Sequence, residues 1–256
     1  MYSKLKVLAN NFLYNFGLSV DKVTSESDIS SVLDLLNVQN LDIAPIRVGS
    51  EKDGGYVIPD ILADIDVCLS FGISDNCDLE LQLTDLGIKV FAIDGSISEL
   101  PTFNQLIEFT PKYVGRSEDK RFIDANQWIA DAVRDYESVM FSMDIEEYEW
   151  EIILEIDDYL LNKVDLFVIE LHGLHQLCHR SFLQKVRAAL LKLSEKFVVT
   201  NVNVNNTSPM VNFKGVRTFG SVVEVTYTSK AYIERHKIAY TDRYSELRKR
   251  LNSSNR

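Results

Sequence analysis

The 256-residue chain predicts a single α/β domain on a doubly wound, Rossmann-like sheet, mostly parallel, with an antiparallel C-terminal strand. Three observations carry this. From about residue 65 onward, short β-branched runs alternate with amphipathic stretches, the pattern of parallel strands covered by helices. Polar residues and turn formers gather where the runs end, which is where open α/β sheets hold their ligands. The last run, VVEVTYT, follows KFVVTNVNVNN through a Gly- and Pro-containing connection without a convincing helix, so these two strands are expected to be antiparallel neighbours.

In chain order, residues 1–45 read as an N-terminal helical extension, helical to about Leu36, and residues 46–256 as the main domain. The segment IRVGSEKDGGYVIPD places Arg47, Asp53 and Tyr56 around a Gly-Gly turn, suited to a loop over a site or to a β-hairpin. The expected strands are DVCLSF, KVFAI, KYV, SVMFSM, DLFVIEL and KFVVTNV. The expected helices are CDLELQLTDLG, ANQWIADAVRDY, EYEWEIILEIDDYLLN and HRSFLQKVRAALLKLSEK. In the last, Phe182, Val186, Ala189, Leu190 and Leu193 fall on one face, which should cover one side of the sheet.

A net charge of −11 repels a phosphate backbone. The one concentrated basic stretch, RYSELRKRLNSSNR, reads equally as a solvated helix end, so nucleic acid is not an expected partner. Three cysteines without a CxxC pair suit a reducing compartment. Asn10, Asn11 and Asn15 interrupt the apolar spacing of the first helix, and no apolar run approaches the roughly 20 residues of a membrane span. These features predict a soluble, cytoplasmic protein with no transmembrane segment. Its first helix would pack on the domain or on a partner, with a homodimer as one form.

The first strand ends in SFGISDN, where Gly72 permits close backbone approach and Ser70, Ser74 and Asp75 offer hydrogen bonds. The segment lacks GxGxxG, so a pyrophosphate cofactor such as NAD is disfavoured. AIDGS places Asp94 about 20 residues further on, where a carboxylate can take the hydroxyls of a ribose; Asp-Gly is also a common turn. SMDIEEYEWEII puts Asp144 at a strand end facing the cleft, while Glu146, Glu147, Glu149 and Glu151 read mostly as solvated helix starters. Trp150 reads as core. VIELHGLHQLCH gathers Glu170, His172, His175, Cys178 and His179; a zinc set is disfavoured because these straddle a strand end, a turn and a helix start. Glu170 and His172, two apart, share a strand face, and His172 is the leading general base candidate, with a histidine satisfied by carboxylates as the plainer alternative. NVNVNN aligns Asn201, Asn203 and Asn205 and ends in Asn206, a row able to bind a polyhydroxylated ligand or to cap a hairpin.

Taken together, RVGSEKDGGYV, LSFGISDNCDLE, VFAIDGSISELP, FSMDIEEYEWEI, FVIELHG and NVNVNN followed by VVEVTY resemble the FkbM-like S-adenosylmethionine (AdoMet)-dependent methyltransferases, in the branch found with bacterial capsule and surface-polysaccharide genes. The resemblance covers roughly residues 46–229. It implies O-methylation, commonly of sugars. It also implies that Ser70, Phe71, Gly72 and Asp94 lie at the AdoMet site with Asp75 and Glu80 near, and that Asp53, Gly54, Gly55 and Tyr56 form a loop over the cleft. Asp144, Glu146, Glu170 and His172 would line the reaction centre, with Asn205 and Asn206 beside the acceptor. The chain departs from the family pattern at Glu147, where a glycine is usual, and at Asn201 and Asn203, where histidines are expected.

The resulting expectation is a hydroxyl held in line with the AdoMet methyl, with His172 taking its proton while Asp144 and Glu170 orient it or bind a divalent ion. If a metal is used, Asp144, Glu170 and His172 form the expected set, and their oxygen-rich chemistry favours Mg²⁺, Mn²⁺ or Ca²⁺ over zinc. The alternatives are a nicotinamide-dependent oxidoreductase and a non-catalytic glycan- or partner-binding module on a diverged methyltransferase fold.

Overall fold

The structure, a computed structural model, describes residues 2–16, 23–50, 54–116, 118–205, 208–212 and 219–240. In chain order its elements begin with helices α1 (Tyr2–Leu13) and α2 (Glu26–Leu33) and the hairpin β1 (Pro45–Gly49) and β2 (Gly55–Pro59). There follow β3 (Val67–Phe71), α3 (Asp78–Asp85), β4 (Lys89–Ile93), β5 (Ile107–Thr110), β6 (Tyr113–Val114), β7 (Phe122–Ile123) and α4 (Ala125–Ala132). The second half contains β8 (Val139–Met143), α5 (Glu149–Glu155), α6 (Asp158–Leu161), β9 (Val164–Leu171), α7 (Arg180–Lys196) and β10 (Phe197–Val204). It closes with β11 (Met210–Val211), β12 (Phe219–Gly220), β13 (Val223–Ser229) and α8 (Lys230–Arg235).

Seven strands form the central sheet in the order β10-β13-β9-β8-β3-β4-β5. Neighbours from β9 to β5 run parallel, and β13 lies antiparallel to both β9 and β10. Parallel pairs need a crossover: α3 joins β3 to β4 and α5 with α6 joins β8 to β9, whereas residues 94–106 join β4 to β5 without a helix. Chain direction across the sheet reverses between β3 and β8, so a crevice opens beyond their carboxyl ends. This order, with one reversed strand inserted beside the last parallel one, is the Rossmann-like AdoMet-methyltransferase arrangement expected from the sequence.

The central strands are buried on both faces: every residue of β3, β8 and β9 is buried. One face packs against α2, α4, α5 and α7 through Ile29, Val32, Ile129, Trp150, Ile152, Val186 and Leu190. The other packs against the β1–β2 hairpin, α3 and α8 through Val48, Ile58, Leu79, Leu83 and Tyr232. Phe71, Phe141 and Phe167, from the three middle strands, form an edge-to-face ladder with centroids 5.4 and 5.5 Å apart.

Several expectations need correction. The third core strand is β5, not KYV; Tyr113 and Val114 form a separate two-stranded ribbon with β7. The cause is position: β5 is the sheet edge, where Glu108 pairs with Lys89 at 3.1 Å, so its sequence lacks the apolar run of an inner strand. The helix expected through EYEWEIILEIDDYLLN breaks after Glu155. There the Asn126 side-chain amide donates to the Glu155 carbonyl and accepts from the Asp157 N–H, clamping the turn. On α7, Leu183 joins the buried face, while Phe182 is half-buried against Trp150. Residues 26–36 belong to the main core through Ile29, Val32, Leu33, Leu35 and Leu36. On α1, Asn10 is buried while Leu8 and Phe12 are exposed. No helix among the described residues is long and apolar enough to cross a membrane.

The aromatic ladder gives a direct test of this packing. Phe141→Ala, which removes the middle ring, is expected to cost about 3–5 kcal/mol of unfolding free energy by urea denaturation. A loss below about 1 kcal/mol would mean that the three rings do not form one packed unit.

Candidate functional site

The site begins with a close approach of two strand ends. The Gly72 N–H donates to the Ile93 carbonyl at 2.9 Å and the Asp144 N–H to the Phe71 carbonyl at 2.8 Å, which ties together the carboxyl ends of β3, β4 and β8. Gly72 has φ +86°, and a Cβ there would lie 1.8 Å from the Asp144 carbonyl oxygen, so only glycine fits. Around this junction lie two adjoining cavities of about 560 and 240 Å³ that share Gly72, Ile73, Ser74, Asp144 and Glu146. The larger extends along Asp94–Ser96 towards Tyr113, Phe122 and Tyr148. The smaller is lined by Gly54, Tyr56, Asp75, Asp78 and Glu80.

Asp94 stands at the larger cavity, at the end of β4, but its oxygens are already engaged. Oδ2 accepts the amides of Ile73 (2.9 Å) and Ser74 (2.8 Å), and Oδ1 accepts the amide and hydroxyl of Ser96 (2.7 and 2.6 Å). Partial burial would raise its pKa, yet these donors outweigh burial and hold it below the usual range. Asp94 therefore fastens the loop after β3 to the loop after β4. A ribose would have to displace a donor, most simply the Ser96 hydroxyl, which can rotate away.

The other expected cofactor residues divide between cavity and core. Ser70 is buried and donates to Glu80 Oε1 at 2.5 Å, and Phe71 is buried between Trp128 and Phe141, so neither side chain lines a cavity. Burial raises the Glu80 carboxyl above its usual range, against the opposing hydrogen bond from Ser70. Tyr56 is buried, and desolvation together with Asp144, Glu170, Glu224 and Glu80 raises its hydroxyl well above the ordinary value.

The reaction-centre candidates converge at the ends of β8 and β9. His172 Nδ1 lies 2.9 Å from Glu149 Oε1, and its Nε2 lies 3.4 Å from Glu146 Oε2. Glu149, expected to be a solvated helix starter, has a fully buried side chain; it also accepts the Ile145 amide at 3.2 Å. Glu146 and Glu147 do face solvent, and Glu151 pairs with Lys185. Trp150 is core, and its indole N–H donates to the His172 carbonyl at 2.9 Å. Glu146 and Glu147 have φ +52° and +74°, so the glycine usual in the resembled family would sit at Glu147 without strain.

Glu170 turns towards Asn205, whose amide donates to Oε1 at 2.7 Å, and Asn203 donates to Glu224 at 2.9 Å. Glu170 and Glu224 face each other across β9 and β13. Two of the amides expected to bind a polyhydroxylated ligand thus hold carboxylates. His175 and His179 lie apart from the cluster, with Cys178 Sγ directed at the His175 carbonyl. Asp53 and Asn206 lie outside the described residues.

Burial and then the neighbouring Glu170 charge push Asp144 up to about 8, with His172 acting in the opposite direction. Burial alone would lower His172, but Glu149, with Asp144 and Glu170, raises it to about 9. Among the described residues one group of side chains could hold a metal ion, formed by Asp144, Glu149 and His172. Glu149 occupies the place the sequence suggested for Glu170. The only sequence signal for it was an acid five residues after Asp144, ahead of an apolar helix face.

No protein-family model matches the chain, and no curated protein matches it. Among solved structures, a chain of the fibrillarin/Nop5p complex superposes with TM-score 0.39 and 9% identity, covering 75% of this chain and 99% of that one. The PH0226 protein from Pyrococcus horikoshii OT3 gives TM-score 0.35 and 11% identity over 66% of this chain and 84% of that one. EvdMO1 gives 0.30 and 11%, and this chain covers 46% of it. Likenesses this distant leave the strand order itself as the ground for the fold.

The raised His172 value fixes the sign of a pH effect. The folded state holds the His172 proton more tightly than the ordinary value of 6.5 allows, so that stabilisation is complete below pH 6.5 and is lost as pH rises through about 9. Asp144, raised from 3.8 to about 8, acts in the same direction. In chelator-containing buffer the melting temperature should fall between pH 6.5 and 9, and Glu149→Gln should flatten the upper part of that fall. A wild-type profile that is level across this window would refute the ion-pair geometry.

Proposed function

We propose that the chain is an AdoMet-dependent O-methyltransferase acting on a hydroxyl of a sugar or sugar-linked small molecule. The observation that carries this reading is the position of the Glu149–His172 pair and Asp144. Asp144 lines a cavity of about 560 Å³ at the sheet's reversal point, beside a glycine that lets backbone meet a ligand, and the Glu149–His172 pair stands directly behind Asp144, lining neither cavity itself. The loop after β3 has no phosphate-cradling glycines, which disfavours a nicotinamide cofactor. The carboxylates around Gly72 suit a cationic sulfur, and Asp144 Oδ1 is buried without a hydrogen-bond partner.

In this reading Gly72, Ser74 and Asp94 hold the cofactor, which supplies an electrophilic methyl group on a positively charged sulfur. His172 receives the acceptor's hydroxyl proton at Nε2, while Glu149 fixes the imidazole through Nδ1. Asp144 and Glu170 accept hydrogen bonds from the acceptor and orient it. The surrounding carboxylates oppose loss of the His172 proton until positive charge enters the cleft, which couples the base form to an occupied site. Positioning supplies about 7–11 kcal/mol of barrier reduction, more than the base alone. The saturated Asp94 carboxylate is the observation that favours a non-catalytic glycan- or partner-binding module, which would bind acceptor without methyl transfer.

Calorimetric titration with S-adenosylhomocysteine, with NAD as control, tests the cofactor. Binding should be saturable, lost in Asp94→Ala and retained in Ser96→Ala, which frees one acceptor position on Asp94. Binding of NAD instead, or none by folded protein, rejects the reading. Once an acceptor is found, His172→Ala should lower turnover about 10²–10⁴-fold while S-adenosylhomocysteine affinity stays nearly constant. Equal loss of both would place His172 in cofactor binding.

A further inference from the structure

We propose that Asp144, Glu149 and His172 form a binding site for one divalent cation of the Mn²⁺ class. The three residues each offer a ligand atom, and those atoms lie within 4.8 Å of one another. That spread fits one ion with bonds of about 2.0–2.4 Å, for which opposite ligands stand about 4–4.8 Å apart. His172 Nδ1 and Glu149 Oε1 are 2.9 Å apart, close to the roughly 3 Å between adjacent ligands of an octahedral ion.

A second observation separates this cluster from an ordinary acidic patch. Glu149 is fully buried, yet its Oε2 has no hydrogen-bond partner, and the buried Asp144 Oδ1 has none either. A buried carboxylate oxygen without a donor is costly, and a cation is the ligand that would satisfy it. No lysine or arginine among the described residues pairs with either acid. With the ion at Nδ1, the imidazole presents Nε2–H towards Glu146 Oε2, 3.4 Å away, which is the carboxylate support that metal-bound histidines commonly have. Two carboxylates balance the ion's charge, and one imidazole among oxygen ligands favours Mn²⁺ over Ca²⁺.

The site stands on its own geometry; only its use rests on the methyltransferase reading. There, the three residues would hold an ion that positions the acceptor hydroxyl and increases its acidity, and the hydroxyl proton would pass to Glu146, which stands beside His172 and lines the cavity, so that His172 is the base only in metal-free protein. The test uses chelator-stripped full-length protein titrated with MnCl₂, followed by calorimetry and by electron paramagnetic resonance of free Mn²⁺. One Mn²⁺ per chain is expected, with affinity reduced at least tenfold in both Asp144→Asn and Glu149→Gln and unchanged in Asp78→Asn, which alters the neighbouring acidic cavity. In wild-type protein, substoichiometric Mn²⁺ should broaden the His172 imidazole resonances before those of His236, a readout that needs no variant. No uptake at millimolar Mn²⁺ by folded protein, uptake undiminished in both variants, or broadening of His236 first would each overturn the proposal. Mn²⁺ binding without S-adenosylhomocysteine binding would uphold the site and reject the methyltransferase reading instead.

Discussion

The site depends on one constraint, the contact of the β3 end with the β8 end at Gly72. A side chain there would drive its Cβ into the Asp144 carbonyl, and the amide hydrogen bonds from Gly72 and Asp144 would open with it. Those bonds decide where Asp144 emerges and how far the loop after β3 reaches towards Asp94. The two cavities meet at this point, so the residues they share are those the junction holds in place.

Around that junction the chain accepts an electrostatic cost. Glu170 and Glu224 face each other on neighbouring strands, a placement that is destabilising for like charges. Asn205 and Asn203 offset part of it by donating to one acid each. Glu149 is buried to hold an imidazole, and Glu146 and Glu147 adopt left-handed backbone that a glycine would enter freely. None of these choices helps the core. Their concentration at the open end of a sheet whose body is otherwise apolar is what makes the place a candidate site.

The legible part of the sequence follows burial. Strands β3, β8 and β9 are covered on both faces and read as continuous apolar runs, whereas the polarity of edge strand β5, with Glu108 turned to solvent, makes KYV the more strand-like sequence of the two. Gly72, Asp94, Asp144 and His172 were legible because strand ends can be located and polar residues there are few. Glu149 was not, because an acid in a first helical turn is favoured by the helix dipole whether or not it is buried, and only the fold brings His172 to it. Likewise, spacing placed Asp94 correctly but carried no information about Ser96 and the two amides that fill its oxygens. Phe71 occupies a motif position, yet alternation along β3 turns its ring to the core while Gly72 meets the cavity.

The two ends of the cleft therefore differ in what a ligand can gain. At Asp94 the carboxylate is satisfied by the protein, so a hydroxyl binding there exchanges one hydrogen bond for another, and the acid acts chiefly by holding the loops after β3 and β4 in the shape a ligand would meet. At Asp144 and Glu149, buried oxygens lack donors, so a group bearing protons or positive charge removes a standing penalty as it binds. Binding free energy is accordingly available chiefly beside His172 rather than at Asp94, because there alone a ligand meets buried oxygens that the protein leaves without donors.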